Sequence, residues 1–122
     1  MNRTEQWLAD HMAKFRRDVE DPHAPDKGRE NKLSRKIRSY CKEHGYVSFV
    51  VPENPDIRKI LPPGWPDVVI FLPKGRKVVI ELKAAKGRLR KAQIQVRNML
   101  VLCGHEYHVC KSWRRFMEII SE

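Results

Sequence analysis

The stretch from residue 62 to residue 83, PPGWPDVVIFLPKGRKVVIELK, decides the fold. Two apolar runs, VVIF (68–71) and KVVIEL (77–82), flank a Pro-Lys-Gly-Arg segment, and this pattern predicts a β-hairpin. Every residue from Val68 to Leu72 is apolar, so the first arm is expected to be covered on both faces. Side chains alternate along a strand. Val78, Ile80 and Leu82 therefore share one face of the second arm, and Val79, Glu81 and Lys83 share the other. A carboxylate and an ammonium then project together from the end of a central strand, while Asp67 opens the partner arm. Burying such charges without partners costs on the order of several kcal/mol. Either Glu81 and Lys83 form a salt bridge at the sheet rim, or a divalent metal is held by Asp67 and Glu81.

Register decides whether the second option is possible. If the turn is the four residues Pro73–Arg76, Val68 faces Glu81, and Asp67 points to the other side of the sheet. If Phe71 faces Lys77 instead, Asp67 lies directly across from Glu81. The chemistry requires that offset, made by an odd loop length, a β-bulge or a bend at Pro66-Asp67.

Outward from the hairpin, the chain alternates helices and strands. Leu8, Met12, Phe15 and Val19, with Trp7 beside them, predict an amphipathic helix over residues 3 to 20. DPHAPDKG (21–28) reads as a linker. A helix over 30 to 44 carries Leu33, Ile37, Tyr40 and Cys41 on one face and stops at Gly45. YVSFVV (46–51) reads as a strand, and the proline-rich segment 52–64 as loop. KAAKGRLR (83–90) is a basic loop before a helix over 90 to 103, whose expected buried stripe is Ala92, Val96, Met99, Leu100 and Cys103. EYHVC (106–110) is a strand, and Ser112 can cap a last helix. The order predicts an α/β fold with a mixed β-sheet flanked by helices.

Composition narrows the partner. Twenty-five Lys and Arg against fifteen acids give a net charge of +10 and a pI near 9.9 across 122 residues. Such a field favours polyanions, with nucleic acid ahead of an anionic membrane. No apolar run approaches a membrane span, and the charged N-terminus does not read as a secretory signal. Three scattered cysteines, Cys41, Cys103 and Cys110, fit a reduced cytoplasmic compartment.

Asp67 and Glu81 would give Mg²⁺ or Mn²⁺ the hard oxygen ligands such ions take. Lys83 beside a bound water could orient it, assist its deprotonation or stabilise charge developing on a phosphate. Together these groups suit phosphodiester hydrolysis. A second Glu-x-Lys, Glu30-Asn31-Lys32, lies at a helix start, where side chains two apart diverge by about 200°. It cannot form the same pair. The alternative from another class is a DNA-binding module whose acids and lysine form only a rim salt bridge.

Gly64-x-Pro66-Asp67, Glu81-x-Lys83, Gly87-Arg88-Leu89 and Gln93, in this order around the apolar strands, resemble the virus-type replication-repair nuclease (VRR-NUC) domain of the PD-(D/E)xK superfamily. The resemblance covers about residues 29 to 112 and implies a restriction-endonuclease-like fold. It implies metal binding by Asp67, Glu81 and the Leu82 backbone carbonyl, with Lys83 as the catalytic lysine. It further implies Gln93 close to the active site and Glu30 as an acidic residue near the metals. The chain looks like a small standalone, phage-type member, similar in role to homodimeric Holliday-junction resolvases acting on branched DNA. A nicking or restriction-type nuclease is the rival enzyme reading. Residues 1–28 would form a helix and linker, either covering the core or serving as a dimerisation arm, ahead of a nuclease domain over 29–122.

Lys86, Arg88, Arg90, Lys91 and Arg97 are the DNA-contact candidates next to this site. Arg58, Lys59, Arg114 and Arg115 are secondary ones. Trp65 either packs the loop that positions Asp67 or offers a stacking platform. Cys103, His105, His108 and Cys110 invite a zinc reading, but four residues across a helix end and one strand are not expected to converge.

Overall fold

A computed structural model describes residues 2, 3, 6, 21–26, 30–84 and 87–122, the side chains of Glu30 and Asn31 excepted. The helix expected over 3 to 20 therefore lies outside the described residues, apart from Arg3 and Gln6, and so does Lys86. The elements run α1 (Glu30–His44), β1 (Val47–Val50), α2 (Pro55–Ile60), β2 (Val68–Phe71), a 3₁₀ turn at Pro73–Gly75, β3 (Lys77–Leu82), α3 (Lys91–Leu102), β4 (Glu106–Cys110) and α4 (Trp113–Ser121). The four strands form one sheet in chain order. β1–β2 and β2–β3 are antiparallel, and β3–β4 is parallel, with α3 as the crossover between them. The expected mixed sheet flanked by helices is what forms. Among the described residues no helix is long and apolar enough to cross a membrane.

One sheet face is covered throughout and the other only over β3 and β4. Phe71 of β2 is 52% exposed and Phe49 of β1 is exposed beside it, so the first arm is not covered on both faces as its unbroken apolar run predicts. On one face Val68, Ile70, Val78, Ile80 and Leu82 pack against Leu33, Ile37 and Cys41 of α1 and Phe116 and Ile119 of α4. On the other, Val79, Tyr107 and Val109 meet Leu89 and, from α3, Leu100 and Val101. The hairpin pairs Phe71 with Lys77 and Val68 with Ile80, so one further step sets Asp67 opposite Glu81. This is the offset that the chemistry requires. The connection is five residues, Leu72–Arg76, closed by the Leu72 N–H donating to the Arg76 carbonyl at 2.7 Å. Lys74 (φ 63°) and Gly75 (φ 75°) make the left-handed bend that the odd length needs.

Three details depart from the sequence reading. The proline-rich loop contains α2, because Asn54 caps it by accepting from the Asp56 N–H at 2.9 Å and Pro55 takes the first helical position, where no N–H is needed. On α3, Met99 and Cys103 are exposed. Arg97 is buried instead, at 2% exposure, so polar Gln93 and Arg97 take inward positions that a purely apolar stripe misses. The linker is not a free tether. Asp21 accepts from the Lys111 N–H and the Ser112 hydroxyl, and Asp26 accepts from the Trp113 N–H, so two acids sit at the start of α4.

Gly64 positions the segment entering β2 against α3. Its φ is +80°, and a Cβ there would lie 2.4 Å from the Ala92 carbonyl oxygen. Gly45 has φ +69° with nothing within 4 Å of such a Cβ. Gly45→Ala should therefore lose about 1 kcal/mol in urea unfolding, from backbone strain alone. Gly64→Ala should lose about 2 kcal/mol or more, because strain and overlap add. Equal losses would contradict the packing of Gly64 on α3.

Candidate active site

Asp67, Glu81, Lys83 and Gln93 come together at one end of the sheet. Asp67 leaves the Pro66 bend just before β2, and its Oδ2 accepts the Leu82 N–H at 2.8 Å. Its Oδ1 accepts from the Arg58 guanidinium of α2. Glu81, at 2% exposure, lies in β3 opposite. Its Oε1 accepts from Gln93 Nε2 at 2.8 Å and lies 3.8 Å from Lys83 Nζ. The Arg90 N–H donates to Gln93 Oε1 at 2.8 Å, which fixes the amide so that its Nε2 points at Glu81. The start of α3 thus holds the Glu81 carboxylate in one orientation.

Glu81 Oε2 is buried and has no hydrogen-bond partner. Burial pushes the Glu81 carboxyl up to about 9, with the neighbouring Asp67 adding to the rise by its charge and by a side-chain hydrogen bond that the protonated Glu81 can make to it, and Lys83 and Arg58 opposing it. Burial and the Glu81 charge also raise the Tyr107 hydroxyl. An orphaned buried oxygen beside a second carboxylate fits a divalent cation: the donors are hard oxygens, and a cation can take the place of the proton that Glu81 otherwise keeps. Asp67, Glu81 and the Leu82 carbonyl are the groups that would hold it. A cleft of about 430 Å³, lined by Ser34, Asn54, Arg58, Asp67 and Leu82 among others, opens beside Asp67, with Glu81 buried behind it.

The remaining candidates divide. Arg88, Arg90 and Lys91 are exposed on the loop and first turn leading into α3. Arg97, expected among them as a surface contact, is buried behind that loop, near Asn98 and Tyr107. It lines a second cleft, of about 470 Å³, with Gly87, Arg88 and Lys111. Glu30 opens α1, but its side chain lies outside the described residues. Trp65 is 38% exposed, so it does not fill the core. Arg58 was expected only as a secondary DNA contact; no local pattern signals its pairing with Asp67 nine residues on.

The zinc set does not assemble. Cys103 is exposed at the end of α3, whereas Cys110 is buried and its thiol donates to the Ser112 carbonyl at 3.1 Å. Glu106, His108 and Glu122 do approach, with one ligand atom from each lying within 4.8 Å of the others. Their charge is already met. Arg76 donates twice to Glu106 and lies 3.9 Å from Glu122, Arg115 donates to Glu122 at 3.2 Å, and His108 Nε2 is 2.7 Å from Glu106. This is an ion-pair network tying β4 to α4. It leaves His108, lowered by burial, without a catalytic task.

Without a cation, folded Glu81 keeps a proton from the ordinary 4.5 up to about 9, a window in which the unfolded chain has lost it. Protons bound only by the folded state make stability fall as pH rises, by about 1.4 kcal/mol per pH unit at most. His108 works in the opposite direction, but only below the ordinary histidine range. Thermal midpoints in EDTA should therefore decline between about pH 7 and pH 8.5, and the decline should be absent in Glu81→Gln. A flat wild-type profile would contradict a buried, protonated Glu81.

The sequence model of the VRR-NUC domain family matches residues 5–113. That match takes in the segment ahead of residue 29, where the motifs carry no resemblance. No curated protein matches. A solved structure titled "VRR_NUC domain" superposes with a TM-score of 0.59 over 78% of this chain and 98% of that one, at 15% identity, and so shares its fold. The chain belongs to the VRR-NUC domain family, nucleases of the PD-(D/E)xK type.

Proposed function

We propose that this protein is a divalent-cation-dependent endodeoxyribonuclease that cuts branched DNA, acting as a homodimeric Holliday-junction resolvase. The observation that carries the cation-dependent reading is the buried Glu81 carboxyl opposite Asp67, whose Oε1 lies 3.8 Å from Lys83 Nζ and whose Oε2 has no donor to accept from. Asp67, Glu81 and the Leu82 carbonyl would hold Mg²⁺ or Mn²⁺, which when bound would supply positive charge to stabilise the oxygens of the phosphodiester being cut. Lys83 positions the attacking water or neutralises charge developing on the phosphate. Gln93 keeps Glu81 aimed, and Glu30 is the further acid near the cation. Arg88, Arg90, Lys91 and Lys86 contact backbone phosphates on the α3 side, and Arg97 supplies positive charge from behind them.

The junction specificity rests on size, charge and symmetry. A net charge of +10 on 122 residues favours a polyanion. The exposed Arg88, Arg90 and Lys91 suit phosphate contacts, and so selection by backbone shape. Two symmetric cuts need two sites related by a two-fold axis, which a C2 dimer supplies, with residues 1–28 as its arm. A DNA-binding module is the second reading, favoured by the Lys83–Glu81 and Arg58–Asp67 contacts as plain ion pairs.

Asp67→Ala, Glu81→Ala and Lys83→Ala should each lower cleavage of a labelled four-way junction in Mg²⁺ by about 100-fold or more, while binding in Ca²⁺ persists. Undiminished cutting would reject the site. With duplex, flap and four-way substrates side by side, the junction should be cut fastest; equal cutting of all three would reject the resolvase reading.

A further inference from the structure

Asp67 has two hydrogen-bond donors of different kinds. The Leu82 N–H belongs to the end of β3 and moves only with the sheet. Arg58 sits on α2, a six-residue helix with no buried residue, and its side chain is 46% exposed. Among the described residues lining the cleft in front of Asp67, Arg58 is the one cation. A guanidinium on Oδ1 and a divalent ion at the same carboxylate compete, because both need that oxygen and each repels the other. Once displaced, a planar fork of N–H donors fits a phosphodiester lying in the same cleft.

We propose that Arg58 is a movable phosphate-binding residue: it holds Asp67 in the cation-free chain and passes to a non-bridging oxygen of the substrate phosphodiester when a divalent cation takes Asp67. The inference rests on the nuclease reading above. No covalent bond changes; Arg58 exchanges one anionic partner for another. In the first state Arg58 and Lys83 face the two carboxylates. In the second the cation faces the carboxylates and Arg58 faces the phosphate. α2 can make the shift because no side chain anchors it in the core.

The exchange makes cation affinity and DNA affinity respond to Arg58 in opposite directions. Mn²⁺ alone should be titrated calorimetrically into the full chain at about pH 8, for wild type, Arg58→Ala and Arg58→Lys. Binding of a four-way junction in Ca²⁺ should be measured on the same three proteins. Arg58→Ala should bind Mn²⁺ about 5- to 10-fold tighter and the junction about 10-fold more weakly, with Arg58→Lys between it and wild type in both. A residue that merely shaped the cleft would weaken both affinities together. Unchanged or weaker Mn²⁺ binding by Arg58→Ala, or unchanged junction binding, overturns the proposal. If wild type still cuts DNA in Mg²⁺ under that outcome, only the role of Arg58 falls. A wild type that binds no Mn²⁺ overturns the nuclease reading with it.

Discussion

The pairing register of β2 on β3 is the constraint on which the rest depends. Phe71 opposite Lys77 sets Asp67 opposite Glu81, and a connection one residue shorter or longer would turn Asp67 to the other face. The far end of the hairpin is held as firmly as the near end needs. Arg76, which closes the five-residue connection, donates to Glu106 at the start of β4. It also donates to the carbonyls of Ile119 and Ile120 in the last turn of α4, at 2.6 and 3.3 Å. A guanidinium there satisfies acceptors that a helix end leaves open. The turn is thereby locked to two other elements, and through the stiffness of two paired strands that lock reaches the carboxylates.

What the register assembles is a pair of carboxylates, and burial with Asp67 beside it holds the Glu81 proton on. At the turn end of the sheet Glu106, His108, Arg76 and Arg115 bond one another across β4 and α4, with Arg115 Nε left buried and without a partner among the described residues. At the opposite end of the sheet, Asp67 and Glu81 share one small volume with Lys83, Gln93 and Arg58, and Glu81 Oε2 has no donor to accept from once the carboxyl is ionised. Low dielectric raises the penalty for that oxygen. A fold selected for stability alone would fill the position with an apolar side chain, as the neighbouring Val79 does. A divalent cation could take the place of the Glu81 proton, and Asp67 lines the cleft from which it would enter.

Much of this was legible in the sequence, for identifiable reasons. Period-two alternation in VVIELK placed Glu81 and Lys83 on one face, and chain order placed the helices around a mixed sheet. The register was legible only as a requirement: the chemistry demanded the offset, but nothing in PKGR announces that Lys74 takes φ 63°. α2 was hidden because four prolines in thirteen residues read as breakers, although Pro55 behind an Asn54 cap favours a helix start. The inward face of α3 was misread where Gln93 and Arg97 take positions that apolar periodicity assigns to Met99 and Cys103. Arg58 at Asp67 was illegible because it is a tertiary contact, made by folding the 52–64 segment back over the site.

The claim at the centre is that Asp67 and Glu81 form one cation site at the end of the sheet. Anomalous diffraction from crystals of the full chain soaked in Mn²⁺ tests it directly. The account predicts a peak between the two carboxylates, about 2.1 Å from an oxygen of each. Density instead at Glu106, His108 and Glu122, or none beside Glu81 at saturating Mn²⁺, would contradict it.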